Sequence, residues 1–370
     1  MSFPTLSSFG RSFKMNGFTD VGEQALVEDE ALSIPAQLNI TAVVRPQFQS
    51  VSTTAAPTTK TAAITADQVL LIGGRFGTNS GVFIEYDGTF ANIQIMNSFD
   101  FGGFRAGVNI FNTGFGETAG LEFSSVHGQH GSMLNGKALS AENQLGSFGG
   151  NTGGVALWAA NDWAMASVSL ITDGIALDGA VPNSWKLAPS FRVFLQPEVA
   201  GWELGFGGGI TSGRTGNSAT AVAAGLAPTV QLEMKKWFLD FQAHGELGDT
   251  QVGVYADFAS AKKSSVFTGG NKVNLFNTTA GDLEGWHFRA NVKPLHNLIF
   301  GAGYGEMKNK DNLAALFTGT KARQWQVGAE YEVYQNFVIS LIYNNTKVTP
   351  NVGLGSTTTK TTLLDIEALI

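Results

Sequence analysis

Trp286-His287-Phe288-Arg289-Ala290-Asn291-Val292 places an apolar side chain at every second residue and a polar one between. The longer stretch Gln324-Trp325-Gln326-Val327-Gly328-Ala329-Glu330-Tyr331-Glu332-Val333 does the same. Period-two alternation of this kind is a strand with one dry and one wet face. Its length suits a tilted strand crossing a bilayer, roughly 9–11 residues. Backbone amides cannot go unpaired in hydrocarbon, so only helices and closed barrels cross it. No apolar run approaches the roughly 18 residues that a transmembrane helix requires. The expected fold is therefore all-β: a transmembrane antiparallel up-and-down β-barrel with lipid outside and water inside.

Composition agrees. The 370 residues include 46 Gly and 27 Phe, and only 14% are charged. Average globular chains are about 25% charged. Rings gather at the two membrane interfaces of a barrel, and glycine tolerates its curvature and crowding. There is no cysteine, which removes disulfides, thiolate metal sites and covalent haem attachment within this chain. A net charge of −7 disfavours nucleic acid as a partner. Met1–Gly17 lacks the continuous apolar core of a signal peptide. A barrel must be exported, so a leader upstream of Met1 is expected.

Residues 1–36 stand apart. Phe3, Leu6, Phe9 and Phe13 fall near helical spacing, and Glu28, Asp29, Glu30 and Pro35 follow. They read as a periplasmic segment or one tucked into the barrel mouth, with residues 37–370 forming the barrel. Seventeen segments then read as strands, from Leu38–Gln49 to Thr362–Ile370. Residues 50–67 and 113–152 read as exposed loops, and Lys236-Trp237 as a tight turn between Thr229–Lys235 and Phe238–Glu246. Bacterial single-chain barrels have even strand numbers, and short periplasmic turns alternate with long outer loops. Parity fails between Phe258 and Gly285, where Lys272–Thr278 is the best missing strand. Eighteen strands is the preferred count; sixteen follows if two weak segments merge. The last strand lacks the usual terminal aromatic, so a residue or two beyond Ile370 is expected.

Arg45, Arg105, Arg192 and Arg289 all fall on polar faces. A charge facing lipid at mid-membrane costs about 2–4 kcal/mol, so they are expected to line the lumen. Two readings remain open. They could form a basic strip that sets ion selectivity. They could equally pair with Glu85, Glu233, Asp240, Asp257 and Glu330 to brace the wall. His244 and His287 are lumen-facing by parity, and His296 sits in a turn. His127 and His130 lie in a Gly-rich loop and fall short of the three or four converging ligands of a metal site. Gly73-Gly74 and Gly207–Gly209 lack the Lys-Ser/Thr of a nucleotide loop and read as strand glycines at crowded points. No hydrolase, kinase or metalloprotease signature is present, so the chain reads as a non-enzyme. Repeats of about 40–50 residues, which a propeller would show, are absent.

The stretch Phe3-Pro4-Thr5-Leu6-Ser7-Ser8-Phe9-Gly10-Arg11-Ser12-Phe13-Lys14-Met15-Asn16-Gly17-Phe18 resembles a segment of bacterial outer-membrane cytochrome–porin fusions. In those proteins a Pro-x-Leu-x-x-Phe-Gly-x-x-Phe-Lys-x-Asn-Gly stretch follows the haem-binding Cys-x-x-Cys-His and leads into the barrel. The hairpin Gly74–Glu85 is similar to their early barrel hairpin. The resemblance covers about 30 residues. It implies a c-type haem at the barrel entrance that passes electrons across the outer membrane. This chain begins where the haem motif would have ended. The haem would then be attached upstream of Met1 or carried by a partner such as a periplasmic cytochrome, with Met15 or a lumen histidine as an axial ligand. The leading functional expectation is thus an electron conduit. The alternative is a passive diffusion porin for small hydrophilic solutes or ions, with residues 113–152 as a constriction.

Overall fold

Sixteen strands follow one another round a closed wall, each antiparallel to the next. They are β1 (Asn39–Thr53), β2 (Ala56–Gly77), β3 (Ser80–Tyr86), β4 (Phe90–Asn97), β5 (Arg105–Asn112) and β6 (Thr152–Ala160). Next come β7 (Ala164–Asp173), β8 (Ala188–Leu195), β9 (Trp202–Thr215), β10 (Leu232–Leu247) and β11 (Thr250–Ala261). The wall is completed by β12 (Leu283–Leu295), β13 (Leu298–Asn309), β14 (Lys321–Tyr334), β15 (Phe337–Thr349) and β16 (Thr357–Leu369). This computed structural model describes residues 15–16, 26–28, 33–35, 39–77, 79–88, 90–112, 152–173, 186–215, 232–263, 273–277, 281–310, 321–350 and 355–370. The wall closes where β16 pairs with β1, Leu364 facing Phe48 and Ala368 facing Val44. Reciprocal 2.9 Å bonds between the Ala42 and Ile370 backbones finish the seam.

The strand count settles at sixteen, the lower of the two expected numbers. Parity had failed because one strand was split, not because one was missing. The described part of Thr229–Lys235 and all of Phe238–Glu246 belong to a single strand, β10, which runs straight through Lys236-Trp237. Its alternation is unbroken: Met234, Lys236, Phe238 and Asp240 are buried, while Trp237, Leu239 and Phe241 are exposed. A lysine beside a tryptophan imitates a turn only when the lysine is assumed to want bulk water. Lys272–Thr278 is not a wall strand either. Among its described residues Val273–Asn274 pairs parallel to Leu232–Glu233, and Asn277 bridges back to Asn274. Residues 50–67 are likewise not a loop. β1 and β2 continue through them as a projecting hairpin whose residues 54–64 are exposed.

Seven short connections share one end of the barrel with the start of β1 and with Ile370, which makes that end periplasmic. Their chemistry is local. Asn161 Oδ1 accepts the amides of Trp163 and Ala164 at 3.1 and 2.8 Å. The two-residue turn after β10 places Gly248 at φ 62°, and the turn after β14 places Asn336 at φ 69°. These are conformations that glycine and asparagine tolerate best.

The outer face is apolar through mid-height: Phe191, Val193, Leu239, Phe288, Val327 and Leu341 are all exposed. Rings pair near the outer end, Trp286 with Tyr304 at 5.5 Å and Trp325 with Tyr343 at 5.2 Å between centroids. Replacing Leu239 by arginine should therefore cost about 2–4 kcal/mol in lipid. Unfolding in vesicles measures it, and an unchanged midpoint would mean that Leu239 does not face lipid.

Candidate pore lining

The register carries inward-facing residues round the wall in rows. One row runs Gly207, Asp240, Asp257, His287, Gly305 and Gln324 across β9 to β14. The next, one pleat nearer the periplasm, runs Gly205, Gln242, Tyr255, Arg289, Gly303, Gln326 and Asn344. Polar side chains thus meet polar neighbours across strands. Gln326 and Asn344 face each other, each only 2% exposed, and neither amide finds a protein partner. A buried amide left without a partner costs about 1–3 kcal/mol, so this part of the wall is built for water or a polar solute.

Arg192 is the most constrained group on this face. It stands on β8 and its partner Asp240 on β10, so the side chain must cross β9. It does so to make bonds of 2.6 and 3.1 Å to the two carboxylate oxygens. The glycines of β9 permit this. A Cβ on Gly207 would stand 2.8 Å from Arg192 Nη1 and 2.7 Å from the Val193 carbonyl, and one on Gly209 would stand 2.2 Å from the Phe238 ring. The guanidinium lies between Phe194 and Phe238, 5.4 and 5.1 Å from their centroids. The Gly207–Gly209 run is therefore a bed for an ion pair, with Gly208 on the opposite face against Leu239.

Asp257 sits directly across from Asp240, and His287 directly across from Asp257. Arg289 lies 4.3 Å from the Tyr255 ring centroid, and the Tyr255 hydroxyl shares a 2.7 Å hydrogen bond with His244 Nε2. Arg45 binds Asp365 at 2.7 Å and lies 3.4 Å from Glu367, both on β16. Glu330 accepts a 3.4 Å bond from Ser340. Arg105 is at the periplasmic mouth, 3.3 Å from Asp100. These nine residues fall on the inward face, and Arg45, Arg105 and Arg192 each hold a carboxylate.

Glu233 is a correction. It shares the outward face of β10 with Trp237 and Leu239, and pairs with Lys235 at 3.1 Å and Arg214 at 3.5 Å. Splitting β10 hid the parity that assigns it. The same split hid Lys236, which faces inward and lies 4.3 Å from the Phe276 ring centroid. Carrying the alternation through residues 236 and 237 would have found both. Tyr255 was missed for a different reason: a tyrosine among lumen positions carries no charge to mark it.

Two inward patches are apolar. Near the outer end Phe111, Ile171, Met234, Phe238 and Ala261 pack with Phe276, which arrives from the connection after β11. Asn277 holds that connection through the carbonyls of Ala261 and Gly281, and Asn274 through those of Lys235 and Lys262. Asp282 closes it, accepting the Lys263 amide at 2.8 Å and Lys262 Nζ at 3.0 Å. Burial alone would raise the Asp282 carboxyl, but the Lys263 amide and Lys262 outweigh it and hold the pKa below its ordinary value. This contribution is complete above the ordinary carboxylate pKa and disappears as pH falls through the lowered one. The Lys263 amide should accordingly keep its hydrogen-exchange protection at mildly acidic pH and lose it in stronger acid. Loss already at mild acidity would break the assignment.

Toward the periplasm, Met96, Trp158, Met165 and Phe194 form the second patch, and Met15 covers it. Ser98 Oγ donates to the Met15 carbonyl and accepts from Arg105 Nε at 2.9 Å. Met15 thus lies against the inner wall at this patch. Haem c needs paired cysteine thioethers, and this chain supplies none. Met15, a candidate axial ligand, packs against wall side chains instead. Among the described residues no three His, Asp or Glu side chains converge as a metal site. Glu117, Glu122, His127, His130 and nearly all of the 113–152 stretch lie outside the described residues.

Solved structures similar to this one include several outer-membrane proteins. The anion-selective porin from Comamonas acidovorans superposes with a TM-score of 0.55 at 11% identity, covering 90% of this chain and 99% of that one. The outer membrane channel DcaP of Acinetobacter baumannii gives 0.54 at 12%, covering 90% and 97%. In-vitro folded OmpT, an outer membrane protein of Vibrio cholerae, gives 0.53 at 12%, covering 93% and 99%. Identity this low speaks for the fold. No family model matches the sequence. No curated protein matches it either. The closed wall and the apolar belt define a transmembrane β-barrel of a bacterial outer membrane, with a fold similar to that of porins. The resemblance to cytochrome–porin fusions gains no support from these likenesses.

Proposed function

We propose that this protein is a passive, non-enzymatic diffusion channel for small hydrophilic solutes or ions. The observation that carries the reading is the polar inner row through Gln242, Gln326 and Asn344, whose amides have polar atoms unmatched by protein. A sixteen-stranded wall is wide enough for an aqueous passage. Selectivity should be weak, because Arg45, Arg192 and Arg105 each hold a carboxylate nearby and present no continuous strip of one sign.

Planar-bilayer recording of the purified barrel is the test. Stepwise conductance should appear with no added cofactor, and the reversal potential in a salt gradient should lie near zero. Silence from correctly folded protein would remove the channel reading. A strong anion preference would instead restore the basic-strip reading of the arginines.

A further inference from the structure

One outward patch serves neither the lumen nor the apolar belt. On β12 to β16, level with and above the rings of Trp286, Tyr304 and Trp325, the outer surface turns basic. Glu284, Lys308 and Lys321 lie in one row, and Glu306, Arg323 and Lys347 in the next. Lys310 reaches down to Glu284 at 2.6 Å, and Lys360 stands beside Asn345 on β16. Among the described outward residues here, these are six cations against the three carboxylates Asp282, Glu284 and Glu306, and Asp282 is held by Lys262 at 3.0 Å. The patch is positive on a chain whose net charge is −7. Lys308, Lys347 and Lys360 are exposed, and the Arg323 side chain is 52% exposed although Glu306 holds its Nε at 2.9 Å.

Position decides what such a patch meets. It faces away from the pore, at the end opposite Ile370, where the ring pairs place the hydrocarbon boundary. The groups at that depth and on that side are lipid headgroups. Glu306 bridges Lys321 and Arg323 at 3.0 and 2.9 Å, which fixes two cations in place before any ligand arrives. We propose that this surface binds the phosphate of an anionic lipid in the outward leaflet, with an acyl chain lying along Trp325 and Tyr343. Charge complementarity selects the headgroup, and the ring pair seats the chain.

Native mass spectrometry of the intact barrel in neutral detergent tests this, with phosphatidic acid and phosphatidylcholine supplied as an equimolar mixture. Phosphatidic acid should be retained preferentially. The variant carrying Lys308→Gln, Arg323→Gln and Lys347→Gln should lose that preference by about tenfold or more. Excess inorganic phosphate should not displace the lipid. Equal retention of the two lipids, an unaltered preference in the variant, or displacement by inorganic phosphate would each overturn the proposal. The substituted residues all face outward, so conductance of the variant should match the parent whatever the lipid result.

Discussion

Arg192→Ala is expected to destabilise the barrel by about 3–5 kcal/mol, the usual cost of removing one partner from a buried ion pair. The reason is the neighbourhood rather than the pair alone. Asp240 would lose both of its guanidinium bonds and be left directly across from Asp257. The side chains of the pair are 0% and 1% exposed, so bulk water gives little relief. Chemical unfolding in vesicles reads the loss. Replacing both partners by leucine should recover most of it, because no unpaired charge then remains. Gly207→Val should act much like Arg192→Ala while leaving every charge in place, since its Cβ would press on the guanidinium and on the Val193 carbonyl. Near-parental stability in both single variants would show that the pair does not brace the wall.

The second large effect is expected at Met15. Met15→Asp places a carboxylate against Met96, Trp158, Met165 and Phe194, where the burial of a large apolar side chain is worth about 2–5 kcal/mol. The wall does not need Met15 for its own hydrogen bonds, so the barrel should stay folded while the N-terminal segment leaves its seat. Single-channel recording should then show a larger and noisier conductance than the parent. Parental conductance in the variant would mean that the seated segment does not narrow the passage. Arg105→Ala offers an independent route to the same state, since Arg105 steadies the Ser98 hydroxyl that holds the Met15 carbonyl.

Much of the wall was legible in the sequence because alternation is a local signal. Trp286–Val292 and Gln324–Val333 each state their own two faces. The failures share one cause. Lys236 breaks the apolar-polar expectation for a lumen lysine, because its ammonium lies over the Phe276 ring rather than in open water. Phe276 comes from forty residues further along, and no window around Lys236 contains it. Arg45 teaches the same lesson. Its partners Asp365 and Glu367 belong to the last strand, and only closure of the wall makes them neighbours. Arg192 and Asp240 were both marked as inward, yet their union depends on an intervening glycine strand. Parity shows direction and cannot show reach. Glycine at 205, 207 and 209 could be counted, but what each makes room for is set by the adjoining strands.

The clasp between Arg45 and Asp365 also bears on assembly. The two residues are separated by 320 positions, and their bond lies at the seam where the wall closes. Contacts of such separation form last, because the whole intervening chain must be ordered before they are rewarded. Until then the edges of β1 and β16 remain open templates for any passing strand. A mismatched edge would leave Arg45 or Asp365 buried without its partner, so the charge pair favours the correct edge at closure.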